Sequence, residues 1–203
     1  MVNLLGYLPA RGRARTFNLL LLILVLAAGF FAGGCSDQTN DPSTVDDVDA
    51  SLASLRQDGR EIFRDETFGN EVFWTDSLEM NDVVETVDPT TALMVGLKVD
   101  ADRLPPGTLD NADLNSPLTT LALLRLNAVV GVRAEVDDNN QITKFGITCA
   151  LCHSTVDNSV MDGIGRRLDG WPNRDLDVGK IIALSPKVSA EAKQVYENWG
   201  PGF

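Results

Sequence analysis

Two of the three cysteines and the only histidine of the 203-residue chain fall within five residues, Cys149-Ala-Leu-Cys152-His153. Cysteines three positions apart on a helical turn present their thiols on one side, and the next residue adds an imidazole. This is the Cys-x-x-Cys-His pattern of covalent haem attachment. The thiols of Cys149 and Cys152 would add to the two vinyl groups of one haem c, and His153 would be the proximal iron ligand. A Cys-x-x-Cys pair also serves thiol–disulfide exchange or half of a structural zinc site. Zinc needs about four protein ligands, yet the remaining cysteine is far upstream and there is no second histidine.

The N-terminus argues for export. Arg11, Arg13 and Arg15 precede an apolar run from Leu19 to Ala32, and no acidic residue occurs before Asp37, the pattern of a signal peptide over residues 1–34. The run falls short of the about 18 to 20 apolar residues of a membrane span. Ala32-Gly33-Gly34-Cys35 resembles a bacterial lipoprotein signal, whose cysteine becomes the lipid-bearing first residue of the mature chain. Those signals favour Leu where this chain has Ala32, so ordinary cleavage or an uncleaved anchor stays open beside lipidation of Cys35. Acyl chains add about 0.8 kcal/mol per buried CH2 to membrane binding. The expected location is the periplasm, with the membrane reached through a lipid anchor.

Loss of the three signal-peptide arginines takes the net charge from −12 to −15. Such acidity excludes nucleic acid as a partner and fits either simple solubility or redox partner proteins with a basic docking surface. With Cys35 assigned to lipid and two thiols to haem, no cysteine remains for a disulfide. Residues 35–47, polar and acidic, form a tether, and residues 48–203 form the domain. Val48, Leu52, Leu55, Ile62 and Phe63 recur at helical spacing, which places a helix from Ser43 or Thr44 that Gly59 interrupts. Thr90 to Val99 suits a short buried helix, and Leu118 to Leu126 another, with Pro117 in its first turn. The β-branched runs Val129 to Val136 and Gln141 to Ile147 flank Asp137-Asp138-Asn139-Asn140, which predicts a hairpin. Helix is expected through the haem motif, loop from Gly163 to Gly179, and a last helix from Ser189 to Gly200.

Gly59-Arg60-Glu61-Ile62-Phe63 resembles the first helix of c-type cytochromes, where a glycine admits another helix. Small members of that family place the haem motif soon after this helix, whereas more than 80 residues separate Phe63 from Cys149 here. The longer set Glu66-Thr67-Phe68-Gly69, Phe73-Trp74, Gly96-Leu97-Lys98-Val99-Asp100 and Gly146-Ile147-Thr148 resembles larger bacterial cytochromes distantly similar to di-haem cytochrome c peroxidases. The resemblance covers most of residues 55 to 200. It implies a mainly α, cytochrome c-like haem domain with a large insertion and a small β-hairpin before the haem-binding helix, transferring electrons in the cell envelope. The alternative is a peroxidase- or oxygenase-like enzyme, or a haem subunit or sensor, with an open distal iron position; di-haem peroxidases carry two haem motifs and this chain has one. Trp199-Gly200-Pro201-Gly202-Phe203 resembles a point at which such chains continue.

The ligand opposite His153 separates these functions. Met94, ahead of Met80, is the candidate; lysine, water and an open position are the others. Met161 lies only eight residues past His153, too near to cross readily to the opposite face. Trp171, in Trp171-Pro172-Asn173-Arg174, is the candidate wall of a haem pocket. Arg166, Arg167 and Arg174 are candidate partners for the haem propionates.

Overall fold

The computed structural model describes residues 42–202. The signal peptide, Cys35 and the tether as far as residue 41 lie outside the described residues. Helix α1 runs over Pro42–Asp65. The helix thus begins next to the expected start at Ser43 or Thr44 and takes in the last residues, 42–47, of the expected tether; proline suits a helix start because its φ is already near the helical value. Gly59 does not interrupt the helix: one interior glycine costs only about 1 kcal/mol. Among the described residues no atom outside the helix's own backbone lies within 4 Å of where its Cβ would be, so none of them crosses closely there. The chain divides into two compact units, one ending at Leu52 and the other beginning at Ala53. The first holds the N-terminal part of α1, and the rest of the described fold belongs to the second.

After α1 come a π-helical turn, Val72–Ser77, helices α2 (Met80–Val84) and α3 (Pro89–Met94), strand β1 (Val99–Asp100), a 3-10 turn at Ala101–Arg103 and helix α4 (Pro117–Arg125). Asp88 caps α3 by accepting from the Thr91 amide at 2.9 Å, which satisfies one of the amides a helix start leaves free. The β-branched runs form strands β2 (Val132–Val136) and β3 (Ile142–Ile147), paired antiparallel with an irregularity between Glu135 and Val136. Asp137 Oδ1 accepts from the Asn139 and Gln141 amides, and Asn140 takes a φ of 65° to close the turn.

The haem-motif helix is shorter than the sequence suggests: α5 covers Ala150–His153 and gives way to β4 (Ser154–Val156). The stretch expected as loop from Gly163 contains β5 (Ile164–Gly165), β6 (Arg167–Asp169) and the start of helix α6 (Val178–Ala183), with α7 (Ala190–Glu197) after it. β4 pairs antiparallel with β6, and β1 parallel with β5. The described residues therefore hold one 24-residue helix, several short helices and three two-stranded ladders. Ladders of two or three residues carry too little alternation to show in a sequence.

The core gathers Trp74, Leu121, Leu124, Val132, Phe145 and Leu151 with their neighbours. Trp74 meets Phe145 edge to face, ring centres 6.3 Å apart, which fixes the π-helical turn on the hairpin. Asn70 adds two backbone bonds to the same strand, accepting from the Ile147 amide at 3.0 Å and donating to its carbonyl at 2.7 Å. Gly131 joins the hairpin to α5. Its φ is +74°, and a Cβ there would stand 2.0 Å from the Leu151 nitrogen, so both conformation and space require glycine. Gly131→Ala is expected to lower unfolding free energy by more than about 1 kcal/mol, measured by urea denaturation.

Candidate haem-attachment site

α5 is built so that one side faces inward and the other outward. Ala150 is fully buried and Leu151 nearly so, whereas Cys149, Cys152 and His153 are exposed. Positions 149, 152 and 153 are related by three and four residues and share a helical face. The turn is anchored at its start by Thr148, whose amide donates to the Gly131 carbonyl at 2.9 Å and whose hydroxyl accepts from the Ala150 amide at 3.3 Å. Within the turn the His153 amide donates to the Cys149 carbonyl at 3.2 Å. The structure thus brings all three motif residues together on one exposed rim, both cysteines as free thiols.

Two backbone bonds return the later chain to this turn. The Gly170 amide donates to the His153 carbonyl at 2.8 Å, and the Asn173 amide to the Cys152 carbonyl at 2.9 Å. Trp171 lies between those two pins and is 64% exposed. A large apolar ring held beside the motif yet left in water suits a wall against which another flat group packs. Asn173 also donates through Nδ2 to the Gly96 carbonyl at 2.9 Å, which ties the wall to the segment after α3.

The arginines divide. Arg167 is buried and donates to Asp169 at 2.8 Å. Arg166 is exposed and 3.4 Å from Asp157; Arg174 is exposed. The structure leaves Arg166 and Arg174 accessible to a carboxylate ligand and turns Arg167 to an internal role. That role was not legible in the sequence. Asp169 accepts from the Ser154 hydroxyl at 2.8 Å, from Arg167 at 2.8 Å and from Arg64 at 2.7 Å, so one carboxylate joins the residue after His153 to the end of α1. Arg133 pairs with Asp65 and donates to the Arg64 carbonyl; burial, with Arg167 nearby, brings its pKa down to about 10. Burial alone would raise the Asp169 carboxyl, but its bonds to Arg64 and Ser154 and the Arg167 charge bring it below the usual carboxylate value.

Behind the motif lies a cavity of about 120 Å3 whose lining includes Cys152, Leu151, Trp74, Met80, Phe145 and Ile181. Apolar cavities of roughly 150 Å3 stay dry and admit an aromatic ring, and this one is of similar size and equally apolar. Thr120 also lines it, 5% exposed, and its hydroxyl has no hydrogen-bond partner. Burying a hydroxyl unpaired costs about 1 to 3 kcal/mol. Burial also raises the pKa of Cys152, with Cys149 adding to the effect. The thiol therefore stays protonated at neutral pH.

The methionines fall differently from the sequence expectation. Met94 is 81% exposed at the end of α3 and is not part of the cavity lining, whereas Met80 is 1% exposed and lines it. α3 faces the core with its other side, and only tertiary packing decides which side that is. Met161 is 44% exposed. Lys98 is buried, but its Nζ is bound to Asp175 at 2.6 Å. Cys35, the expected lipidation site, lies outside the described residues.

No family model, curated protein or solved structure matches this chain. Among the described residues no group of three or more His, Cys, Asp or Glu side chains is placed to hold a metal ion. Nor is any helix among them long and apolar enough to cross a membrane.

The Asp169 junction yields a stability prediction. Asp169→Asn leaves Arg167, whose side chain is 3% exposed, without its ionic partner, and the expected loss is about 3 kcal/mol at neutral pH. Because the folded pKa of Asp169 is depressed, its stabilisation is full above about pH 4 and fades as pH falls through the folded value. The variant should therefore lose part of the acid limb of the stability profile, measured by urea denaturation across that range.

Proposed function

We propose that this chain is a c-type cytochrome that binds one haem covalently and carries electrons in the bacterial cell envelope. The observation that carries the reading is the exposed Cys149, Cys152 and His153 triad on the rim of an apolar cavity that Cys152 itself lines. The donor set suits the group: two free thiols three positions apart, one imidazole at the next position, and an apolar cavity behind them.

When bound, haem supplies an iron that alternates between two oxidation states by one electron. The chain's own residues hold and orient it. Cys149 and Cys152 would hold the haem through two thioether bonds, each thiol S–H adding across a vinyl C=C with no atom lost, and His153 would ligate the iron. Trp171 would cover one flank, and Arg166 and Arg174 would be accessible to the propionates. Ala150 and Leu151, packed inward, keep the turn from rotating as the bonds form. Apolar lining and the surrounding hydrogen bonds are the means by which such a site sets its potential.

The envelope location follows from the basic and apolar N-terminus, and Cys35 is the proposed point of lipid attachment. The acidic mature chain would meet basic redox partners, an attraction that salt weakens. The function is tested on the exported protein by haem staining after denaturation and by voltammetry. Wild type should retain haem and show a reversible one-electron couple. The Cys149→Ala/Cys152→Ala variant should show no covalent haem, and haem retained there would overturn the proposal.

A further inference from the structure

Helix α1 carries an apolar stripe that is left in water. Val48, Leu52, Leu55, Gly59 and Ile62 follow one another at intervals of four, three, four and three residues along the 24-residue helix. A surface helix that packs on its own core shows a broad apolar face. A strict alternation of threes and fours is instead the narrow seam along which two helices wind together. The four side chains of the stripe are 57%, 42%, 63% and 52% exposed. At Gly59 no described atom outside the helix's own backbone lies within 4 Å of where a Cβ would be. Contiguous exposed apolar side chains of this kind mark an interaction surface.

We propose that α1 joins a second copy of this chain in an antiparallel two-helix coiled coil. With the two-fold axis between Leu52 and Leu55, Leu52 of each copy meets Leu55 of the other. Val48 of each copy then meets Gly59 of the other, where the missing Cβ leaves a hole for the valine knob. One patch serves both copies, as a two-fold contact requires. Charge selects the orientation. Residues 46–49 hold three aspartates and no cation, whereas residues 56–64 hold three arginines and two acids. Opposite directions set each acidic half beside the basic half of the other copy. Asp49, which borders the seam, comes within side-chain reach of Arg56 of the other copy, twice by symmetry. A parallel pair would lay the acidic halves side by side and leave a void between two copies of Gly59. Lipid suits the stripe poorly, because a helix that lies on a membrane carries Lys and Arg beside its apolar face, and the first half of this one carries aspartate. The contact involves none of Cys149, Cys152 and His153 and does not depend on haem.

The test is the mass of the full exported chain in solution, measured by sedimentation equilibrium in density-matched detergent. Wild type should approach twice the chain mass as its concentration rises, and more fully at low salt. Leu52→Asp changes an exposed side chain, so the near-UV circular dichroism of the buried Trp74 and Phe145 pair should persist while the protein sediments as a monomer. Asp49→Arg and Arg56→Asp should each weaken the dimer about tenfold. The double exchange Asp49→Arg/Arg56→Asp should restore it, because the two positions meet only in the antiparallel orientation. The charge variants keep the test decisive even if Leu52→Asp folds poorly. The proposal is overturned if wild type stays monomeric, as it would with the stripe covered by its own N-terminal segment, or if its added mass is a different polypeptide. It is equally overturned if folded Leu52→Asp keeps the dimer, or if the double exchange fails to restore it.

Discussion

The contact on which the site depends is between two stretches of backbone. At Gly131 the entry to the hairpin lies so close to the Leu151 nitrogen that no side chain fits between them. The Gly131 carbonyl at the same point takes the Thr148 amide. Together these set the angle at which the chain leaves β3 and enters the four-residue turn. A turn this short cannot hold itself, since helix formation carries a costly nucleus. Its geometry is imposed from outside, by the hairpin before it and by the Gly170 and Asn173 amides after it.

Charge is used in the same way. The Asp169 carboxylate sits where β4 and β6 pair and joins the end of α1, the start of β4 and a buried guanidinium. Arg133 and Asp65 extend this network onto β2. Buried ion pairs contribute little net stability, but removal of one partner is costly. Such a network acts less as a source of cohesion than as a constraint on which arrangement of the strands is allowed.

The sequence discloses these features unevenly. The hairpin was legible because β-branched runs and an Asp-Asn turn agree on it. The grouping of Cys149, Cys152 and His153 was legible because they fall within five residues at helical spacing, and the turn exposes all three. The span of α1 through Gly59 was missed because a glycine weakens a helix without ending it. The ladders of β4 to β6 were missed because two or three residues show no period. That Met80 is buried and Met94 exposed depends on which side of two short helices meets the core, and neither α2 nor α3 is long enough to display a stripe. Asp169 gave no signal at all, since nothing local distinguishes an aspartate that accepts from Arg64, 105 positions away.

That separation bears on the order in which the molecule is assembled. Arg64 reaches Asp169 across 105 residues, and Ser185 reaches Leu78 across 107. Such closures form late, because the entropy of bringing distant segments together is spent before their contacts form. As the chain emerges, its thiols precede the segments that hold them in place: Cys149 and Cys152 come out before Gly170 and Asn173. If the thiols are to be modified as proposed, that reaction and folding would compete for the same interval, and a bond made early would act on a turn still free to rotate.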